Sequence, residues 1–161
     1  MDQKAAELAR AFLQGLLDRL SEPARIETSW EKEGLYLNLV GELHTIPEDD
    51  PELRRDLGRV LRLHLKARLK RDVPVVVDVG GRWAAHRRKL VELAYRLAER
   101  AVRERRKVRL EPMPPEDRRI VHSALTDFPG VKTYSVGRGA GRRVVIEPVI
   151  TEAYGSQGTR K

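Results

Sequence analysis

The sequence predicts an α+β protein with two small domains. Segments in which apolar residues recur every three to four positions, as on a helix buried along one face, alternate with short alternating or Val-rich segments typical of strands. The predicted order is helix, strand, strand, helix, strand, helix, and then strand, helix, strand, strand. Mixed order of this kind indicates sheets with helices on one face. The chain has 161 residues, enough for one or two such domains.

The first half of the chain predicts a helix, a hairpin and a second helix. Leucines at helical spacing indicate a helix over residues 3–20. Alternation in "ARIETSW" and "LYLNLVGEL" indicates two strands joined by a turn at Gly34. Asp50 followed by Pro51 is the pattern of a helix cap and first helical residue, and a helical stripe of apolar residues follows it.

The second half predicts a buried strand, a long helix and a compact α/β segment. "VPVVVDV" is a Val-rich run ended by two glycines, and a helix is expected from about Trp83 to Arg105. Trp83 is predicted to lie in the core. "KVRLEPM" indicates a strand, "PMPP" a break, and residues 115–127 a helix. "VKTYSV" and "RRVVIEP" then predict two strands around the loop "GRGAGR".

These elements suggest a domain boundary near Arg106. The predicted organisation is an N-terminal helix, a domain that includes the long connecting helix, a second small domain and a polar tail expected to be disordered. The corresponding ranges are 1–22, 23–106, 107–150 and 151–161.

Charge and composition narrow the function. The formal net charge is +8, which favours an acidic partner, nucleic acid first and an anionic membrane second. Residues 101–161 hold 13 Lys and Arg against 7 Asp and Glu, so most of the excess lies there. The absence of cysteine excludes disulfides, Cys-ligated zinc and thiol catalysis. No apolar run reaches the roughly 20 residues of a membrane span, and we expect a cytoplasmic location.

No catalytic or metal-binding motif is apparent. The four histidines have no paired ligand spacing, and neither a Ser/His/Asp order nor a phosphate-binding loop occurs. We therefore expect no cofactor, no metal and no enzymatic activity. The histidines are His44, His64, His86 and His122.

Arg118 and His122, in "EDRRIVHSAL", are the strongest candidate binding residues. Four positions apart on a helix, they are neighbours at the edge of an apolar arc. An Arg fork beside an imidazole suits a phosphate oxygen, and both groups can stack on a base. The same spacing also fits an ordinary helix face in which His122 packs on the sheet edge.

Further cations lie around this pair, and each has an alternative interpretation. "GRGAGR" is followed by a strand instead of a helix, which argues against a nucleotide-binding loop and favours a hairpin loop that grips a backbone. Tyr134 can stack a base or be a half-buried sheet residue. A basic stripe on the second helix fits a solvated face or an extension of a nucleic-acid groove. Its residues are Arg55, Arg59, Arg62 and Lys66.

The C-terminal segment "RLEPMPPEDRRIVHSALTDFPGVKTYSVGRGAGRRVVIEP" resembles the small nucleic-acid-binding domain named for its Arg-x-x-x-His signature. The signature maps to Arg118 and His122. The upstream segment from Val73 is similar to the one that joins a KH domain to this domain in the bacterial Jag (SpoIIIJ-associated) family. The resemblance covers roughly residues 25–148. It implies a type II KH-like domain followed by a small α/β Arg-x-x-x-His domain, in a non-catalytic protein that binds RNA or other single-stranded nucleic acid.

The KH-like half departs from the family pattern. Members usually carry a Gly-x-x-Gly loop between two helices, which clamps the nucleic-acid backbone. "GELHTIPEDDPELRRDLGRVLR" contains no such loop, and the acidic run Glu48, Asp49 and Asp50 would repel phosphates. We therefore expect a degenerate KH-like domain, with binding mainly through the second domain.

The predicted ligand is single-stranded RNA more than DNA. The predicted binding residues are Arg118, Arg119, His122, Lys132, Arg138, Arg142 and Arg143. One alternative is a protein-interaction module whose KH-like half docks another protein, such as a second KH-domain protein or a membrane-linked partner. A nuclease that uses scattered carboxylates is a third, weaker hypothesis.

Overall fold

The computed structural model describes residues 2–149, which fold into two units of mixed α and β structure. The boundary lies between Ala85 and His86, inside the first turn of the third helix. The predicted α+β class is confirmed. The first unit contains α1 (Gln3–Arg19), β1 (Arg25–Glu31), β2 (Gly34–Val40), α2 (Pro51–Leu69) and β3 (Val75–Val79). The elements that follow are α3 (Arg82–Glu104), β4 (Val108–Arg109), α4 (Pro115–Leu125), β5 (Val131–Val136), a single 3-10 turn (Gly139–Gly141) and β6 (Arg143–Pro148).

The first unit is built on a three-stranded sheet in the order β1-β2-β3. β1 and β2 form an antiparallel hairpin, and β2 pairs with β3 in parallel. The hairpin turn lies at Lys32 and Glu33, one residue before the predicted position, and Gly34 opens β2 with a backbone φ of +130°. A side chain there would overlap the carbonyl oxygen of Pro74, which accepts a 2.9 Å hydrogen bond from the N–H of Leu35. Only glycine fits this close approach of two strands.

Helices α1 and α2 contribute their apolar stripes to the core of this unit. Asp50 caps α2, as predicted: its Oδ1 accepts the N–H groups of Glu52 and Leu53, both at 2.9 Å, with Pro51 as the first helical residue. Alternate residues of β2 are buried, so one face of the sheet is covered. The largest fully buried side chains of this core are Leu13, Leu17, Leu35, Leu37, Leu39, Leu61, Leu65, Val73 and Val77.

A buried carboxylate joins β3 to the start of α3. Asp78 is 1% exposed and accepts hydrogen bonds from the Tyr36 hydroxyl at 2.6 Å and from the N–H groups of Trp83 and Ala84 at 3.0 Å. Burial and this carboxylate raise the pKa of Tyr36. Trp83 lies half-buried between the Tyr36 ring and the Arg54 guanidinium, which sits 5.4 Å from its ring centroid. The predicted core position of Trp83 is not confirmed, because the ring is only half-buried and belongs to neither apolar core of residues 2–149.

The second unit contains an antiparallel sheet in the order β4-β6-β5. One face of this sheet packs on α3 and α4. Its core consists of Leu90, Ala94, Ala98 and Ala101 of α3, Val121 and Leu125 of α4, and Leu110, Val144 and Ile146 of the sheet region.

The sequence placed the domain boundary near Arg106, and the structure places it near His86. The physical reason is the packing of α3, whose Leu and Ala stripe lies in the second core and not the first. The strand predicted from "KVRLEPM" is limited to Val108–Arg109, and α4 ends at Leu125 instead of residue 127. The tail predicted to be disordered, residues 151–161, lies outside the described residues. Within residues 2–149, no helix has the length and apolar character needed to cross a membrane.

Candidate nucleic-acid interface

Positive charge is concentrated in the second unit. Residues 86–149 contain 16 Lys and Arg against 8 Asp and Glu, whereas residues 2–85 contain 14 against 15. The basic excess therefore follows the structural boundary. A polyanion is attracted to the second unit and receives no net attraction from the first.

Helix α4 presents Arg118 and His122 side by side. The helix starts at Pro115, whose missing N–H costs nothing at the first position, and Glu116 and Asp117 suit the positive end of the helix dipole. Val121 is fully buried and fixes which side of α4 faces the sheet. Arg118 and His122 are half-buried at the margin of this contact, as the sequence predicted.

The imidazole of His122 is held by two hydroxyl groups of β5. Its Nδ1 lies 2.7 Å from Oγ1 of Thr133, and its Nε2 lies 3.0 Å from Oγ of Ser135. A neutral imidazole satisfies both contacts, donating through one nitrogen and accepting at the other. Burial and the neighbouring charge of Arg118 lower the pKa of His122 below its ordinary 6.5. The ring therefore positions α4 on the sheet, and at neutral pH it carries no charge.

Arg118 is anchored through one edge of its guanidinium. Its Nε donates to the carbonyl oxygen of Met113 at 3.3 Å. Neither Nη nitrogen forms a hydrogen bond with residues 2–149. Arg119, the next residue, is exposed. The outer edge of the Arg118 fork is thus the group on α4 best placed to take a phosphate oxygen.

The predicted binding residues are divided between the two faces of the sheet. Side chains alternate along a strand, and Thr133 and Ser135 contact His122 on the helix-covered face. Lys132 therefore lies on the opposite face. Arg143 pairs in register with Val136 and shares that opposite face. The structure does not bring Lys132 or Arg143 to the Arg118–His122 side.

The loop from Gly137 to Arg142 closes on itself. Gly137 has a φ of +89°, and a side chain there would come within 2.9 Å of the carbonyl oxygen of Gly141. Arg142 Nη1 donates to the carbonyl oxygen of Gly137 at 3.2 Å. Arg138 is exposed. The loop connects two strands, as predicted, and presents Arg138 more freely than Arg142.

In the first unit, Arg59 and Arg62 of the predicted basic stripe are paired with acids. Arg59 binds Asp56 at 3.0 Å, and Arg62 forms an ion pair with Asp72. The acidic run predicted to repel phosphates is also paired, because Arg82 binds Glu48 at 2.6 Å and Asp49 at 2.8 Å.

The connection from β2 to β3 contains one helix, α2, so no pair of helices flanks a Gly-x-x-Gly loop there. Among residues 2–149, no three acidic or histidine side chains form a group that could hold a metal ion.

Sequence reasoning missed several residues of the second sheet. Thr133 and Ser135, which hold His122, were not singled out, although "TYS" places two hydroxyls on one face of a strand. Lys107 and Glu147 were also missed. Lys107 Nζ lies 3.2 Å from Glu147 Oε2, and this pair sits beside Tyr134 on the other face. Their sequence separation hides the contact until the strand order is known.

Comparison with known proteins identifies the second unit. Residues 88–148 match the R-3-H domain family, which is the family of the Arg-x-x-x-His domain. They form the Arg-x-x-x-His domain that the sequence predicted, and Arg118 and His122 lie within the matched residues. The matched region includes α3, in agreement with the boundary in the structure and not with the predicted one.

The chain is also similar to curated proteins named RNA-binding protein KhpB. The Bacillus subtilis protein is 35% identical over 74 residues, which cover 45% of this chain and 36% of that protein. The Streptococcus pneumoniae protein is 25% identical over 149 residues, 91% of this chain and 45% of that protein. The chain thus spans less than half the length of these relatives. The predicted resemblance to the Jag family is confirmed by this homology.

Proposed function

We propose that this protein binds single-stranded nucleic acid, RNA in preference to DNA, without catalysing a reaction, and mainly through its Arg-x-x-x-His domain. The observation that carries the proposal is the charge distribution: the unit that contains this domain has twice as many basic as acidic residues, and the first unit is nearly neutral. The similar proteins from Bacillus subtilis and Streptococcus pneumoniae are named as RNA-binding proteins, which supports the same conclusion. A cytoplasmic location, where RNA is available, fits this role.

Arg118 is the proposed phosphate ligand on α4. His122 is the proposed positioning residue, because it holds α4 on the sheet through Thr133 and Ser135. The Nε–H of Arg118 is committed to Met113, so the Nη edge offers a fixed fork to a phosphate. Because His122 is neutral at physiological pH, it adds no counterion release of its own. The salt-dependent affinity would come from the charged members of the predicted set, Arg118, Arg119, Lys132, Arg138, Arg142 and Arg143.

The first unit is proposed to be a degenerate type II KH-like domain, connected to the Arg-x-x-x-His domain through α3. The order of α1, β1, β2, α2 and β3 and the missing Gly-x-x-Gly loop support this assignment. In this proposal the KH-like domain contributes little to nucleic-acid binding.

The test is fluorescence anisotropy with labelled single-stranded RNA and DNA across a salt series. Each phosphate contact on a single strand should add about −0.7 to the slope of log affinity against log salt. The variant Arg118→Ala/His122→Ala should bind more weakly, with a flatter slope. A matched control is His64→Ala/Arg68→Ala, which removes the same two residue types at the same separation from α2. Circular dichroism checks that each variant is folded, and an affinity that does not change with salt would contradict the proposal.

A second candidate function is a protein-docking role for the KH-like unit. Two apolar side chains on α2, Val60 and Leu63, are 49% and 67% exposed, and they lie among basic residues. A partner such as another KH-domain protein would cover them. Gel filtration of the nucleic-acid-free protein, as wild type and as Leu63→Ser, tests whether that partner is a second copy of this chain. A larger assembly that the variant abolishes supports self-association, and a monomer in both cases argues against it.

A further inference from the structure

The second sheet has one face that neither α3 nor α4 covers, and we propose that this face is a base-stacking site for single-stranded RNA, centred on Tyr134. The site lies on the other side of the sheet from His122. The inference rests on the proposed function and adds a second contact surface to it. We call this surface the sheet platform, and it consists of Tyr134 with Lys107, Arg109, Lys132, Arg143 and Glu147.

The strand register defines which residues share this face. Tyr134 of β5 pairs with Val145 of β6, and Val145 pairs with Arg109 of β4. Residues directly opposite one another in antiparallel strands point to the same side of a sheet. Thr133, which neighbours Tyr134, contacts His122 on the helix-covered side. Tyr134, Val145 and Arg109 therefore form a row across the side opposite the two helices.

The adjacent row on this face is charged. Lys132 of β5 pairs with Glu147 of β6, and Lys107 immediately precedes β4. Glu147 lies between the two lysines, 3.2 Å from Lys107 Nζ and 3.6 Å from Lys132 Nζ. Arg143 also lies on this face, because it pairs with Val136, two residues after Tyr134 along β5. The tyrosine is thus flanked by four cations and one carboxylate.

The Tyr134 ring is half-buried and lies among basic side chains. Val145, directly opposite Tyr134 on β6, is only 2% exposed, so the tyrosine has a buried apolar neighbour on the same face. Lys107 Nζ lies 5.9 Å from the centroid of the Tyr134 ring, within the range of a cation–π contact. The side chains of Lys107 and Lys132 are 56% and 61% exposed. The ring is held in place while the cations around it stay accessible to a ligand.

Glu147 keeps the two lysines together when no ligand is bound. Hydrogen bonds from Tyr134 and Lys107 lower the pKa of Glu147, so the carboxylate is charged at neutral pH. Lys107 and Lys132 are then pre-positioned on either side of it. A phosphate group would compete with Glu147 for these ammonium groups, which makes the carboxylate a moderator of binding and not a ligand.

A supported aromatic ring surrounded by flexible cations matches the chemistry of single-stranded RNA. Bases stack on the ring, and the phosphates between them are neutralised by the neighbouring cations. A base inside a duplex cannot reach such a ring, which favours single strands. Stacking is tolerant of sequence because every base has a π-face. We therefore expect the ring itself to show little base preference.

The experiment compares Tyr134→Leu with Tyr134→Phe in the full chain. Phenylalanine keeps the ring and leucine keeps apolar bulk without it, so stacking is removed only in Tyr134→Leu. Tyr95→Leu is the matched control, because Tyr95 is exposed on α3, a helix that packs on the opposite face of the sheet. The probes are a fluorescein-labelled single-stranded RNA of about 12 nucleotides and inorganic polyphosphate, which has the charge but no bases.

We expect Tyr134→Leu to weaken RNA binding on the order of 5- to 100-fold, as for the loss of one stacked base. Polyphosphate binding should be unchanged, and Tyr134→Phe and Tyr95→Leu should bind RNA like wild type. If wild type binds RNA and folded Tyr134→Leu binds it equally well, the sheet platform is refuted while the proposed function stands. If wild type binds no single-stranded RNA at low salt, the proposed function itself fails, and the platform with it.

Discussion

Oγ1 of Thr133 lies 2.7 Å from Nδ1 of His122, and this contact ties α4 to β5. The signature histidine of the Arg-x-x-x-His domain is therefore part of the internal packing of the domain. Arg118 lies one helical turn earlier. Its Nε donates to the carbonyl oxygen of Met113, and the Nη edge of its guanidinium stays available to a ligand. This division of roles suggests that substitutions of the two residues will have different consequences, one on stability and the other on binding.

His122→Ala should destabilise the Arg-x-x-x-His domain and leave its net charge at neutral pH unchanged. It removes two hydrogen bonds and part of the α4 contact, which we expect to cost about 2–3 kcal/mol. Thr133→Val should cost about 1 kcal/mol alone and almost nothing in the His122→Ala background, because the shared bond is already lost. Urea unfolding of the four proteins in this cycle measures the coupling. Fully additive effects would show that the contact contributes nothing, and Ser123→Ala, an exposed neighbour, is the neutral control.

Stability should also depend on the protonation of His122. Its pKa is lowered in the folded state, so the unfolded chain binds a proton more readily. The contribution of His122 is therefore complete above the unfolded value near 6.5. It decreases as the pH falls through 6.5 and levels off below the lower folded value. Unfolding free energies measured from about pH 8 to pH 5 should fall less in His122→Gln than in wild type. Parallel curves for the two proteins would contradict this prediction.

Glu22 should make the first unit sensitive to acid. The carboxylate accepts N–H groups from His44 at 2.7 Å and Ile46 at 3.2 Å, and it also binds the N–H and hydroxyl of Thr45. These hydrogen bonds, the Thr45 hydroxyl first, lower its pKa from 4.5 to about 2. Its contribution is full above pH 4.5 and is lost as the pH falls toward 2.

The matching variant is Glu22→Gln, which should be less stable than wild type at neutral pH and should lose less stability on acidification. Circular dichroism during acid titration follows both proteins. Glu42→Gln, an exposed residue nearby in sequence, is the control and should behave like wild type. Identical acid transitions for wild type and Glu22→Gln would show that this carboxylate is not responsible.

Asp50→Ala should weaken α2 at its N-terminus. The variant leaves the N–H groups of Glu52 and Leu53 without their shared acceptor, at a cost of about 1 kcal/mol. Asp50→Ser should recover most of this loss, since a serine hydroxyl can cap in the same way. The urea midpoints of unfolding report the difference in stability between the variants, provided that the slope of unfolding free energy against urea is unchanged. Equal midpoints for the Ala and Ser variants would exclude a capping role.

Glu147→Gln should strengthen RNA binding. The change removes the carboxylate that competes with phosphate for Lys107 and Lys132, and a gain of roughly 1.5- to 5-fold is expected at low salt. The gain should shrink as salt screens the interaction. Anisotropy with single-stranded RNA measures it against Glu92→Gln, which makes the same charge change on an exposed position of α3. A gain of equal size in both variants would indicate net charge alone and not the sheet platform.

Local features of the fold were predicted well from the sequence because their causes are local. The cap at Asp50, the proline after it and the hairpin turn next to Gly34 each depend on neighbouring residues, and the structure contains all three. The helical neighbourhood of Arg118 and His122 follows from a four-residue spacing in the same way.

Features that depend on distant contacts were predicted poorly. The stripe of α3 shows that this helix is buried, but not in which core, so the domain boundary was misplaced. Alternation along β5 predicts that Lys132 and Thr133 point in opposite directions, but the face covered by helices follows only from tertiary packing. For the same reason the contact of Lys107 with Glu147, set by the order β4-β6-β5, was not visible in the sequence.

The uneven charge of the two units also has a kinetic consequence. A diffusing polyanion experiences attraction from the second unit over roughly 8 Å at physiological ionic strength and almost none from the first. The first encounter complexes would then form on the Arg-x-x-x-His domain, whatever the final position of the bound strand. Long-range attraction sets how fast such encounters form, whereas the proposed stacking on Tyr134 and phosphate contact of Arg118 would set how long they last. Salt should therefore slow association, while substitutions at Tyr134 should mainly shorten the lifetime of the complex.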